Sequence, residues 1–272
     1  MASSKFLMLC GVCILNGCVM IVPTPEEAPH GGGDIFGIEM CPPTEGRSGG
    51  DAGAVDLWFG PGWPEHSVVE AVAGEGGDGG VGPHDVSAAG PDGAAGSVIM
   101  TEDPDLVYES EAMDPERLFE AQLQGDRTEV DWPTIDEYVG LFEVDKFIVG
   151  AYVDLTFHGS VTIRAREVVI ERGATLTIRE GDGGLSAPGI EMGDVPQWPD
   201  LDGGTLTVEA QRVVVEGNID VSGLDAIEVP GVTPGGAGGA IRITTTELEW
   251  GSGEMRASGG RGDAGLDEHV CP

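Results

Sequence analysis

Between residues 147 and 257 the apolar positions come in apolar-x-apolar pairs. Val161/Ile163, Val168/Ile170 and Leu176/Ile178 make one set, Leu206/Val208, Val213/Val215 and Ile219/Val221 a second, and Ile241/Ile243, Leu248/Trp250 and Met255/Ala257 a third. The step from the first pair to the second is seven residues in every set. Alternation with period 2 is the mark of a strand that buries one face. Phe147/Val149 and Leu155/Phe157 repeat part of the pattern upstream, and Gly173, Gly217 and Gly253 stand just before each third pair, where a corner asks for unusual backbone angles. The pattern predicts an all-β fold with three short strands per turn: a short right-handed parallel β-helix over 146–272, of about three complete coils plus a partial one. Each coil covers the apolar edge of the next, so the stack needs caps at its ends.

Upstream of the coils, Asp114 (N-cap), Pro115 (first helical position) and Gly125 (stop) predict a short helix to Gln124, with Leu118, Phe119 and Leu123 on its apolar side. Residues 103–145 therefore read as a helix and N-terminal cap region, Thr134 to Val149 packing on the first coil. Residues 31–97 hold 19 glycines, broken up by Pro and Asp, and offer little apolar surface to offset ordering entropy. The expectation for 18–102 is a mostly disordered, flexible acidic linker.

Charge sharpens this division. Ten of the 13 basic residues lie between Arg127 and Arg261, whereas Ser48 to Glu116 holds 15 acids and no Lys or Arg. The net charge of −35 argues against nucleic acid or anionic lipid head groups as partners.

The chain opens with Lys5 and the apolar run Phe6 to Leu15, the pattern of a secretory signal peptide over 1–17. Ordinary cleavage and an uncleaved anchor over Phe6 to Val22 both stand as alternatives to lipid attachment, and all three export residues 23–272. Cys10 and Cys13 lie inside this signal and Cys18 would carry the lipid, which leaves Cys41 and Cys271 as a candidate disulfide or two separate thiols.

Leu15-Asn16-Gly17-Cys18 resembles the bacterial lipobox, with Asn16 in place of the usual Ala or Ser. That resemblance implies lipid attachment at Cys18 and a membrane as partner. Val19 follows the cysteine where similar lipoproteins kept at the inner membrane carry Asp, so the expected location is the outer membrane or cell surface, or the extracellular space if the anchor is absent. With the runs Gly159-Ser-Val-Thr-Ile, Gly203-Gly-Thr-Leu-Thr-Val and Gly238-Gly-Ala-Ile-Arg-Ile, the chain resembles secreted or lipid-anchored parallel β-helix proteins of Gram-negative surfaces. Adhesins, stalks and polysaccharide lyases share that likeness, which does not fix function. An enzyme of this kind would stack acids on an outer face. The outward ladders Thr162/Thr207/Arg242 and Thr177/Asp220/Arg256 carry at most one carboxylate each, and Arg164 should pair with Glu209. No catalytic residue and no cofactor is expected, apart from calcium held weakly by Asp194, Asp200 and Asp202 in a turn-like loop. The reading is a non-catalytic envelope protein for structural or adhesive contact with a surface polysaccharide or another envelope protein. A carbohydrate-active or carbohydrate-binding β-helix, and a fragment of a larger adhesin, are the alternatives.

Overall fold

The computed structural model describes residues 40–41, 43–62, 68–81, 86–108, 117–124, 127–131, 140–180, 201–226, 234–265 and 269–270. The protein is all-β, with no helix among the described residues. The strands are β1 (Met40–Cys41), β2 (Ala54–Phe59), β3 (Val68–Glu70), β4 (Ser97–Glu102), β5 (Leu118–Gln124), β6 (Arg127–Asp131), β7 (Leu141–Val149) and β8 (Asp154–His158), followed by β9 (Ser160–Ile170), β10 (Thr175–Arg179), β11 (Thr205–Val215), β12 (Asn218–Asp220), β13 (Ala240–Trp250), β14 (Glu254–Arg256) and β15 (His269–Val270).

The chain passes from a long strand in one sheet to a short strand in the other and back. The large sheet runs β4-β2-β13-β11-β9-β7-β5-β6 and the small one β3-β14-β12-β10-β8. All these neighbours are parallel except the closing β5–β6 pair. The register stacks like on like: Val161, Leu206, Ile241 and Val55 form one inward row, and Leu155, Leu176, Ile219, Met255 and Val69 form the facing one. These apolar rows fill the space between the sheets and supply the main burial term. At the β5 end the column is closed by Phe119, Phe142, Phe147 and Phe157. The Phe119 ring stacks on Phe147 at 4.4 Å and meets Phe142 edge-on at 5.1 Å.

Three expectations need correction. The helix ending at Gln124 is instead strand β5, while Asp114 and Pro115 lie outside the described residues. Alternation decides it: Phe119 and Ala121 are fully buried and align with Phe147 and Val149 of β7, so packing overrides the local capping signals. Each turn has two strands rather than three. The first and second apolar pairs share one 11-residue strand, within which burial alternation shifts phase at Arg166–Glu167 and Gln211–Arg212, where two successive residues face outward. That shift accounts for the odd seven-residue step. At the corners, Gly173 has φ +76°, but Gly253 is required for a different reason: a Cβ there would lie 1.9 Å from the Gly217 carbonyl oxygen.

The largest correction concerns 18–102. Wherever this stretch is described it belongs to the fold, and β2, β3 and β4 extend the stack beyond β13 and β14. Its glycines form two backbone layers. Residues 44–53, 87–96 and 235–239 lead into β2, β4 and β13, and residues 71–80, 221–226 and 257–265 lead out of β3, β12 and β14. Between the layers, the amides of Gly74, Gly77 and Gly80 donate to the carbonyls of Gly50, Arg47 and Thr44 at 2.8–2.9 Å. Within one layer, Gly259, Gly262 and Gly265 donate to Val72, Glu75 and Asp78 at 2.6–2.9 Å. Donors recurring every third residue are the repeat of a polyproline-II-type helix, three residues per turn. Such segments approach this closely only where a side chain is absent, so hydrogen bonds order a region that buries little apolar surface.

Candidate functional site

The outward face of the large sheet carries the densest arrangement of charge. Parallel register puts Glu143, Arg164 and Glu209 side by side on β7, β9 and β11, and a second row holds Lys146, Glu167, Arg212 and Glu247 on β7, β9, β11 and β13. Arg164 and Arg212 each sit between acids. Arg164 reaches Glu209 at 2.9 Å and Glu143 at 3.3 Å. Lys146 contacts Glu167 at 2.6 Å, and Arg212 contacts Glu167 and also Glu249, the latter at 2.7 Å. Arg166 grips the buried Asp145 with two bonds of 2.8 Å.

These contacts set the protonation states. The hydrogen bond from Arg166 holds the Asp145 carboxyl below the usual carboxylate range, against a smaller opposing effect of burial. Lys146, with Arg212 behind it, does the same for Glu167. Both stay ionised at neutral pH, as partners in a charge lattice rather than proton carriers. Above the same face, the Tyr108 amide donates to Thr246 Oγ1 at 2.7 Å, and burial followed by the nearby Glu209 pushes the Tyr108 phenol up. The chain leaving β4 thus lies over the outer face of the large sheet at Tyr108.

The small sheet repeats the theme. The ladder Thr177/Asp220/Arg256 occurs in the expected register but continues to Glu70 of β3, and Thr162/Thr207/Arg242 continues to Asp56 of β2. The first therefore holds two carboxylates rather than one. Arg179 reaches Asp220 at 3.4 Å and also binds the Ser222 carbonyl, and Arg256 meets Glu70 at 3.5 Å and pairs with Glu254.

Where the glycine layers meet the large sheet, an open groove of about 590 Å³ runs across the stack, bordered by Ser97, Ala54, Ala240, Thr205 and Glu180. Its origin is a step in thickness. Sheets separated by side chains lie about 10 Å apart, whereas the glycine layers hydrogen-bond directly, so the surface dips between the two regimes.

Of the residues singled out by sequence, Cys18, Asp194, Asp200 and Cys271 lie outside the described residues, and Cys41 is in β1. The Asp202 carboxylate accepts the Ala237 amide at 2.6 Å, which ties two turns of the stack together. Asp51 and Asp225 work alike, accepting the amides of Ala94 and Arg261 at 2.7 Å. No cluster of three metal-ligating side chains occurs among the described residues. Sequence reasoning found the Arg164–Glu209 pair but missed Glu143, Asp145, Glu167 and the groove. The first three needed the register of β7, and the groove needed the three-residue glycine spacing at 90/93/96 and 74/77/80.

Compared with known proteins, the chain matches no family model, no curated protein and no solved structure.

Proposed function

We propose that the chain is a non-catalytic, lipid-anchored protein of the bacterial cell envelope, displaying a small right-handed parallel β-helix for structural or adhesive contact. The β-helix reading is supported by strands that alternate between two parallel sheets with like residues stacked; the right hand follows the general rule for parallel crossovers. One observation carries the non-catalytic reading. The carboxylates of the Glu143 and Glu167 rows are held by arginines and a lysine in alternating sign, so they lack the free acid pair that hydrolysis of a glycan requires. Such a lattice makes a stiff, polar display surface.

The anchor rests on Leu15-Asn16-Gly17-Cys18. Intact mass of the mature protein tests it: a chain starting at Cys18 with added acyl mass is expected, together with release from membranes in Cys18→Ala. An unmodified N-terminus or unchanged membrane retention would overturn the anchor. A carbohydrate-binding β-helix is the second reading, favoured by the open groove, whose length across several coils suits an extended polysaccharide. Binding to a panel of surface glycans that Ser97→Trp abolishes would favour it over purely structural contact.

A further inference from the structure

We propose that the outer face of β2 and β13 binds a neutral glycan, with the Trp58 indole as the stacking surface and Asp56 and Arg242 as its hydrogen-bonding pair. The inference rests on the carbohydrate-binding reading above and deepens it, extending the groove to a site and naming the class of glycan that fits.

The alternation of β2 turns Asp56 and Trp58 outward, while Val55, Leu57 and Phe59 fill the core. Trp58 is 47% exposed, although folding ordinarily covers most of so large an apolar side chain. Neither its indole N–H, nor the Asp56 carboxylate, nor the Arg242 guanidinium has a hydrogen bond or ion pair among the described residues. Arg242 is set apart in this from Arg164, Arg166, Arg179, Arg212 and Arg256, which are all held by acids.

Parallel register arranges these groups in rows. Ser97, Ala54, Ala240 and Thr205 line the groove. Two residues further along the strands come Ile99, Asp56, Arg242 and Thr207, and two further again Thr101, Trp58, Thr244 and Glu209. The groove row and the Trp58 row are therefore about 13 Å apart along the strands, the reach of a short run of sugar rings. Tyr108 bounds the surface beyond them, with its amide on Thr246 and its phenol near Glu209.

This chemistry suits a sugar. The C–H face of a pyranose ring lies flat on an indole, and its rim of hydroxyls needs donors and acceptors at the edge. Arg242 and the indole N–H donate, Asp56 accepts, and the threonine hydroxyls do either. Charge decides the class of glycan. A molecule of net charge −35, with Asp56 and Glu209 in the rows themselves, repels uronate or sulfated chains, whereas a neutral chain meets no such barrier.

The test is native electrophoresis of the full-length protein in gels carrying dextran, laminarin, galactomannan or polygalacturonate, with urea titration to show that each variant keeps the parent stability. Retardation by at least one of the three neutral polysaccharides is expected, and none by polygalacturonate. Trp58→Ala should weaken that binding roughly tenfold or more, with Trp58→Phe retaining part of it. Arg242→Ala should weaken it roughly threefold. Binding that Ser97→Trp abolishes but Trp58→Ala leaves unchanged keeps the carbohydrate reading and overturns this site. Retardation by polygalacturonate alone overturns the neutral class, and unchanged mobility in all four gels overturns both the site and the carbohydrate reading.

Discussion

A Cβ built on Gly77 would lie 1.8 Å from the Asp263 carbonyl oxygen, and one on Gly50 would lie 1.9 Å from that of Gly236. Both obstacles are backbone atoms fixed by hydrogen bonds of their own, so no side chain can swing aside. Gly77→Ala is expected to lower unfolding free energy by about 3 kcal/mol or more. Gly251→Ala should stay within about 0.5 kcal/mol of the parent, since the nearest atom is the flexible Glu216 side chain at 3.2 Å. Urea titrations of the two variants check this, and equal losses would refute the close backbone packing. At the core, Ile163 is fully buried in the central strand of the stack, and Ile163→Ala should cost about 2–5 kcal/mol by the same measurement. Ile163 was legible from alternation. Gly77 was not, because a compositional view treats glycine as chain entropy, whereas here it is the residue that lets two backbones touch.

At the scale of elements, the strands owe their outer faces to charge alternation across the ladders. Glu167 lies between Lys146 and Arg212 with its carboxyl held below the usual carboxylate range. A depressed folded-state pKa means stability that is present above the ordinary Glu range and is lost as pH falls through the folded value. The wild type should therefore exceed Glu167→Gln by roughly 1 kcal/mol at pH 7, with the gap shrinking below about pH 4. Chemical denaturation of both proteins from pH 7 to pH 3 measures it, and a gap that is constant or grows on acidification would contradict the lattice. Strand identity was legible from β7 onward because one face is buried and alternation is strong. It was illegible at β5, where the local signals Pro115 and Gly125 favour a helix and only the neighbouring β7 supplies the competing partner.

For the whole molecule, order in space departs from order in sequence. Chain from before residue 103 forms the strands that cover β13 and β14, and chain after it starts the stack at the other end. Removing residues 1–102 would turn β13 into an edge and uncover Ile241 and Ile243, both buried in the intact protein. That truncated chain should bind a hydrophobic dye and self-associate on size exclusion, whereas a chain that stays monomeric and dye-free would show the N-terminal strands to be dispensable. No periodicity announces such a permuted stack. Only the match of Val55 and Leu57 to the rows of Ile241 and Ile243 signals it, and six residues of alternation are too few to stand out in an acidic, glycine-rich stretch.

The central claim is that this glycine-rich stretch is folded backbone and not a spacer. Hydrogen exchange of the native protein read by mass spectrometry over residues 44–53, 71–80 and 87–96 tests it most directly. The amides of Gly74, Gly77 and Gly80 donate between layers, and slow exchange comparable to that of β11 is the result expected. Exchange across these three segments as fast as in an unstructured peptide would contradict the account.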